Sequence, residues 1–158
     1  MDNTQGSEAV ALTAVSAAPA AAGLVLIIES SGKDARALRE QLDANKVSNP
    51  VRTVFSVAEA ERYLKNEPPY TDRAHCPRPR ILFVDASLSR FDRSVLMRSL
   101  KNREEWQNVL IVALVKLEDV TASQRAYAFA ADCVMVKPCS KSDVKDMMGR
   151  FPEYWATL

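Results

Sequence analysis

Residues Ile81 to Asp85, ILFVD, decide the fold of this 158-residue chain. Their unbroken run of four apolar residues predicts a strand that is covered on both faces, as strands are in a parallel sheet. An aspartate ends the run, so its carboxylate is expected at the carboxyl edge of that sheet. Hydrophobic residues make up 47% of the chain, enough for the buried core of one domain.

Four more apolar segments follow the same pattern, and helical patterns separate them. The further strands are predicted at Leu24 to Glu29, Val51 to Phe55, Val109 to Leu114 and Cys133 to Val136. Five alternations of strand and helix predict a doubly wound α/β domain, with a five-stranded parallel sheet and helices on both faces. The helices are predicted at Asp34 to Ala44, Val57 to Lys65, Asp92 to Lys101, Val120 to Ala131 and Lys141 to Phe151.

The segments outside this alternation have their own signals. Residues 1–22 are rich in alanine and lack the basic start of a signal peptide, which predicts a disordered tail before one domain over 23–158. The link from Asn66 to Arg80 contains four prolines and mixed charge, which predicts an irregular surface excursion. Two serines, Ser56 and Ser140, are each followed three places on by an acid, the spacing of a helix capping box.

Composition argues against several classes of function. Lys and Arg total 21 against 20 for Asp and Glu, so no global charge favours nucleic acid or an anionic membrane. After the tail, no apolar run approaches the roughly 20 residues that a membrane helix requires. The three cysteines, Cys76, Cys133 and Cys139, lack the paired spacing of a zinc site or disulfide framework, and a reducing cytoplasm fits this usage.

Charged residues lie at three of the five predicted strand ends. Glu29 ends the first strand, Asp85 ends the third, and Lys137 follows the fifth. The carboxyl ends of a doubly wound sheet form its ligand site, so these side chains are expected to converge. Two acids and a lysine suit phosphoryl transfer to a carboxylate, with an aspartate nucleophile, acids for a divalent ion and a lysine for the developing charge. Solvated strand ends or helix caps are the open alternative.

Two motifs resemble the receiver domain of response regulators. Residues 81–92, ILFVDASLSRFD, are similar to the family's strand, phosphoacceptor and following loop, and residues 134–138, VMVKP, are similar to its fifth strand and Lys-Pro. The resemblance covers about residues 23–158. The long link and the ending 153–158, EYWATL, resemble single-domain regulators that partner cyanobacterial phytochromes.

The resemblance implies a flavodoxin-like sheet with strand order 2-1-3-4-5 and a role for each matched residue. Asp85 is the implied phosphoacceptor, Lys137 the implied phosphate contact, and Glu29 with Asp85 the implied metal ligands. A cis peptide bond is implied before Pro138.

Several positions depart from the family's pattern. Ser30 stands where the second acid of the opening pair is usual, and Val115 stands where a Ser or Thr usually contacts the phosphoryl group. Weak or absent magnesium binding and an impaired switch are therefore expected, because oxygen ligands with charge determine affinity for such an ion. The other departures are Lys116 for a small residue, Val134 for the aromatic switch residue, and Ser89 and Arg93 for the loop's Pro and Gly.

The resulting expectation is a stand-alone receiver of two-component phosphorelay signalling, which is not an enzyme and acts by protein-protein contact in the cytoplasm. Its expected partners are a sensor histidine kinase or phosphotransfer protein, an unknown downstream target and a second copy of the chain. Dimerisation is expected because residues 151–155, FPEYW, place aromatics beyond the last helix with little to cover them. The open alternatives are a pseudo-receiver that signals without phosphate and, more remotely, a small-molecule enzyme at the strand ends.

For three further features we prefer a structural explanation to a functional one. His75, the single histidine, lies in the proline-rich link, where a phosphocarrier role would require it to reach the strand ends. Cys133 and Cys139 flank the fifth strand, but buried cysteines are far commoner than thiol switches. Three link arginines, Arg73, Arg78 and Arg80, are expected to be solvated rather than to bind nucleic acid.

Overall fold

A single parallel sheet organises the structure, a computed structural model that describes residues 23–101, 104–119 and 131–158. Its strand order is β2-β1-β3-β4-β5, which confirms the predicted doubly wound arrangement. All four pairs of neighbouring strands are parallel. The strands are β1 Leu24–Ile28, β2 Val51–Val54, β3 Pro79–Asp85, β4 Leu110–Lys116 and β5 Cys133–Lys137.

Four of the five predicted helices lie in the described residues and are confirmed. They are α1 Gly32–Ala44, α2 Val57–Leu64, α3 Arg90–Lys101 and α4 Lys141–Arg150. The helix predicted over 120–131 falls, except for its last residue, outside the described residues, as does the tail predicted over 1–22. Within the described ranges, no helix is both long and apolar enough to cross a membrane. Short 3-10 turns lie at Glu104–Trp106, Leu117–Asp119 and Pro152–Tyr154.

Two separate hydrophobic cores cover the two faces of the sheet. Along β3, Ile81 and Phe83 belong to the core on one face, while Leu82 and Val84 belong to the core on the other. All four side chains have no exposed area, as the ILFV run predicted. Helices α1 and α4 contribute to the first core, and α2 and α3 contribute to the second.

Four predicted boundaries are wrong by two residues: β3 begins at Pro79, α3 begins at Arg90, and the other two lie at the site. Helix α1 begins at Gly32 rather than Asp34, because Ser31 is its N-cap and accepts a hydrogen bond from the Asp34 N–H at 3.2 Å. Strand β4 continues past Leu114 to Lys116, because it keeps pairing with β5 as far as Lys137. The β4 extension places Val115 inside the strand rather than after it.

The two predicted capping boxes have different outcomes. At α4, Ser140 accepts from the Asp143 N–H and Asp143 accepts from the Ser140 N–H, so this box is confirmed. At α2, Ser56 accepts from the Glu59 N–H at 3.1 Å, but the Glu59 carboxylate accepts from the Phe55 N–H instead. That second predicted box is therefore only half formed.

The link over 66–80 is irregular and mostly exposed as far as Arg78, as its prolines predicted, but it is attached to the domain at a few points. Its last two residues, Pro79 and Arg80, belong to β3, and Tyr70 is buried with its ring 5.0 Å from that of Tyr63. Arg73 donates hydrogen bonds to the carbonyls of Tyr63 and two nearby residues, which fixes the link against the end of α2. The Arg73 guanidinium also lies 6.0 Å from the centre of the Tyr63 ring, a contact in which an arginine can stack on a ring while its charge stays near water.

The other two link arginines also pack on aromatic rings. The Arg78 guanidinium lies 5.7 Å from the centre of the Trp106 ring, and that of Arg80 lies 4.7 Å from the centre of the Tyr154 ring. Arg78 nevertheless remains exposed, as expected, whereas Arg73 and Arg80 are partly buried.

The C-terminal aromatics Phe151, Tyr154 and Trp155 are partly covered by their own domain, which weakens the stated reason for expecting a dimer. The Trp155 ring lies 6.4 Å from the buried ring of Phe83. Asn49, which is 4% exposed, donates to the carbonyls of Gly23 and Tyr154 and accepts from the Ala156 N–H. The end of the chain is thus fastened to the start of β1.

Candidate functional site

The three charged strand ends meet at the carboxyl edge of the sheet, as predicted. Lys137 leaves β5, reaches past β4, and places its Nζ 3.2 Å from Asp85 Oδ1 and 2.8 Å from Glu29 Oε1. Glu29 and Asp85 are each 1% exposed. Buried charges require partners, and this lysine supplies one to both acids. The bond between Lys137 and Pro138 is cis, as the resemblance implied.

Both oxygens of the Asp85 carboxylate have hydrogen-bond donors. Oδ1 accepts from the Ser87 N–H at 3.0 Å as well as from Lys137. Oδ2 accepts from the Ser87 hydroxyl at 2.7 Å and from the Ser30 hydroxyl at 3.3 Å. Ser30 therefore gives Asp85 a hydrogen bond in place of the negative charge expected at its position.

A third carboxylate, which the sequence analysis missed, belongs to the same cluster. Asp34 Oδ2 accepts a hydrogen bond from Lys137 Nζ at 3.2 Å, and its side chain is 34% exposed. The signal was present, because Ser31 precedes Asp34 by three places, the same spacing that identified the other helix starts. The predicted start at Asp34 hid this signal, because it left Ser31 outside the helix and unrecognised as its N-cap.

The surroundings shift the pKa values of the three buried groups in different directions. Burial raises the pKa of Glu29, and the hydrogen bonds from Lys137 and the Ser31 N–H only partly offset it. Burial also acts to raise the pKa of Asp85, but the Ser87 hydrogen bonds, Glu29 and the Lys137 charge together lower it to about 2. For Lys137, burial acts to lower the pKa, but Glu29 and Asp85 raise it above its ordinary value. Asp85 is therefore an ionised carboxylate, and Lys137 a cation, at neutral pH.

The positions that depart from the receiver pattern lie on β4, β5, α3 and the loop before α3. Val115 has no exposed area and belongs to the core beneath α2 and α3, and Val134 packs against that core. Ser89 precedes α3, where its hydroxyl accepts from the Asp92 N–H at 3.1 Å. Arg93 lies within α3. Lys116 is exposed at the end of β4.

Other candidate residues lie away from this cluster. His75 lies on the link between α2 and β3. This link leads to the amino end of β3, opposite to the carboxyl ends that form the cluster, and His75 pairs with Asp72 at 2.6 Å. Burial raises the pKa of Cys139 to about 11 and raises that of Cys133 as well. Both thiols are therefore protonated and poorly nucleophilic at neutral pH.

The donors at the strand ends form a poor set for a divalent ion. Magnesium prefers several oxygen ligands in near-octahedral geometry, whereas Lys137 already occupies the space between Glu29 and Asp85. Over residues 23–101, 104–119 and 131–158, no three His, Cys, Asp or Glu side chains are grouped to hold a metal ion. The hydroxyl of Ser30 adds an oxygen without adding charge.

The strand order 2-1-3-4-5 is that of the flavodoxin-like receiver fold, and comparison with solved structures confirms this fold. Neither a protein-family model nor a curated protein matches the sequence.

Solved response regulators do match. The bacteriophytochrome response regulator RtBRR superposes with a TM-score of 0.72 at 20% identity, over 86% of this chain and 81% of its own. The phosphorylated cyanobacterial phytochrome response regulator RcpA superposes with a TM-score of 0.59 at 23% identity, over 84% of this chain and 93% of its own. The Mn(2+)-bound response regulator Rcp1 superposes with a TM-score of 0.60 at 21% identity, over 86% of this chain and 98% of its own. The resemblance to receivers is thereby confirmed as a similarity of structure.

Proposed function

We propose that this chain is a receiver of two-component signal transduction, with Asp85 in the phosphoacceptor position and with an impaired metal site and switch. The observation that carries the proposal is the Lys137 ammonium, which joins Asp85 and Glu29 at the carboxyl edge of a receiver sheet. A carboxylate nucleophile beside a fixed cation suits acceptance of a phosphoryl group. RcpA, one of the similar structures, is described as phosphorylated.

In the proposed reaction, an ionised oxygen of Asp85 attacks the phosphorus of a phosphohistidine on a partner protein. The new O–P bond forms as the N–P bond breaks, and the leaving ring nitrogen keeps the electron pair. The low pKa of Asp85 keeps the nucleophile unprotonated at neutral pH. The Lys137 ammonium and the Ser87 N–H lie at Asp85 Oδ1, where they stabilise charge on the transferred group.

Magnesium binding is proposed to be weak or absent. Rcp1 is described as Mn(2+)-bound, but here a serine replaces one acid. We expect Ser30→Asp to tighten magnesium binding, measured as the midpoint of a titration followed by amide chemical shifts near Asp85. Saturation of the wild type at sub-millimolar magnesium would contradict the proposal.

The second candidate function is a pseudo-receiver that signals without phosphate. The hydrogen bonds of Asp85 favour this pseudo-receiver function, because its two carboxylate oxygens already accept from four donors. Intact-mass measurement after incubation with acetyl phosphate and excess magnesium separates the two functions. A phosphoryl adduct that is lost in Asp85→Asn supports the phosphorelay receiver, and its absence from both proteins supports the pseudo-receiver.

The proposed partners follow from the proposed reaction. The donor is a sensor histidine kinase or a phosphotransfer protein of the cytoplasm, and the output is contact with a further protein. The C-terminal aromatics leave only part of their area for the proposed second copy, because they pack on Phe83 and Arg80. Exposed Phe55, Phe91 and Leu117 are available apolar residues. Sedimentation that detects only monomer at tens of micromolar, roughly where weak interfaces assemble, would count against the dimer.

A further inference from the structure

Asp34 completes the surroundings of the Lys137 ammonium group. A lysine has three N–H donors, and Lys137 has three carboxylate acceptors, on Glu29, Asp34 and Asp85. The Asp34 carboxylate comes from the first turn of α1 rather than from a strand end. Any new acceptor beside Lys137 must therefore share or displace one of these three contacts.

The three acids differ in how much each depends on the lysine. The side chains of Glu29 and Asp85 are 1% and 2% exposed, whereas that of Asp34 is 34% exposed. Asp34 can be solvated without Lys137, while the two buried acids cannot. Next to the ammonium, a cavity of about 20 Å³ that Asp34 and Cys139 help to line has room for roughly one water molecule. Asp34 is thus the contact that is most easily exchanged.

The charge balance indicates what this contact does. Glu29 and Asp85 already provide two carboxylates for one ammonium, so Asp34 is not needed to neutralise Lys137. Its carboxylate instead shares the ammonium with Asp85, each lying 3.2 Å from Nζ, and its charge makes the strand ends more negative. Such a field favours a cation and opposes an anion.

We propose that Asp34 is a specificity-determining residue, which shares Lys137 with Asp85 and thereby opposes the binding of a phosphoryl-like anion at the strand ends. The inference rests on the proposed receiver function, because it concerns the same site. It assigns part of the weak phosphoryl acceptance to Asp34 rather than to Ser30 alone.

The test compares Asp34→Asn, Asp34→Glu and Asp43→Asn in the full chain by amide chemical shifts. Asp43 is a matched control, because it lies nine residues farther along α1, is exposed, and loses the same charge. Each protein is titrated with fluoroberyllate, an anionic mimic of the phosphoryl group, in excess magnesium. A separate titration with magnesium alone measures the affinity for a cation.

The expected result is a change of opposite sign for the two ligands. Asp34→Asn should bind fluoroberyllate at least about fivefold more tightly, the lower end of usual coupling between sites, and should bind magnesium more weakly. Asp34→Glu should stay closer to the wild type, and Asp43→Asn should match it. Loss of a helix-stabilising first-turn acid does not by itself produce opposite changes in anion and cation affinity.

Two negative results have separate meanings. If the wild type binds fluoroberyllate and Asp34→Asn binds it no more tightly, the role of Asp34 is wrong and the receiver function stands. If the wild type and every variant fail to bind it in excess magnesium, the role of Asp34 is wrong and phosphoryl acceptance at Asp85 is contradicted as well.

Discussion

Asp85 makes the stability of the protein depend on pH in the acid range. Its pKa is lowered from 3.8 to about 2 in the folded state, so its ionised form is stabilised by folding. The contribution is fully present above the unfolded pKa and is lost as the pH falls through the folded value. A shift of this size corresponds to about 2 kcal/mol in the free energy of unfolding.

We therefore predict that Asp85→Asn flattens the dependence of unfolding free energy on pH between about pH 4 and pH 2. Urea unfolding at a series of pH values, with a chelator present to remove metal ions, measures the slope of unfolding free energy against pH. Asp43→Asn serves as the control, because it removes an exposed carboxylate from α1. An unchanged slope in Asp85→Asn would show that another group causes the acid sensitivity.

Among the elements, the link over 66–80 depends on one arginine. Arg73 donates to the carbonyls of Tyr63 and Leu64 at the end of α2 and to that of Cys76 within the link. The last carbonyls of a helix have no partner in the helix itself, so Arg73 stabilises α2 and the link together.

Arg73→Ala is predicted to loosen the link locally, at a cost of about 2 kcal/mol for the charge-assisted hydrogen bonds. The measurement is the rate of cleavage within residues 66–78 by thermolysin under native conditions. Arg78→Ala is the matched control, since it removes the same charge from an arginine that stacks on Trp106. Equal cleavage rates in the two variants would show that Arg73 does not hold the link in place.

The C-terminal segment depends on Asn49 in a similar way. Asn49 bonds Gly23, Tyr154 and Ala156, and Val47 forms a β-bridge with Thr157 beside it. We predict that Asn49→Ala lowers the free energy of unfolding by about 3 kcal/mol, because buried backbone groups lose their partners. Urea denaturation with Ser48→Ala as the exposed control measures the effect, and a loss below that of the control variant would argue against the fastening role.

At the scale of the whole molecule, the switch is expected to be uncoupled from the site. A ligand shifts a conformational equilibrium only through its different affinity for the two states. Val115 is fully buried and offers no hydroxyl to a phosphoryl oxygen, and Val134 is a partly buried aliphatic residue. We therefore expect neither of these two positions to supply a contact that distinguishes two conformations.

The corresponding prediction is that fluoroberyllate in excess magnesium changes amide signals near Asp85 but leaves those of β5 and α4 in place. Val115→Thr supplies a hydroxyl and is expected to extend the changes to β5. Heteronuclear spectra of both proteins test this. Large changes in β5 or α4 of the wild type would reveal a switch that operates without these two positions.

The sequence by itself determined the five strands, the four helices of the described residues and the three charged strand ends. The ILFVD run, the four other apolar segments and the helical spacing were sufficient, because each depends on periodicity within a few neighbouring residues. The convergence of Glu29, Asp85 and Lys137 followed from parallel strands having their carboxyl ends at one edge. The receiver resemblance added the sheet order and the cis bond before Pro138.

Only the tertiary structure decided which groups share the lysine and which surfaces are covered. Asp34 joins the site because the cap at Ser31 starts α1 early enough to turn its carboxylate toward Lys137. The C-terminal Trp155 is partly covered because it packs against Phe83 of β3. These contacts join residues far apart in the chain, and local patterns carry no information about such partners.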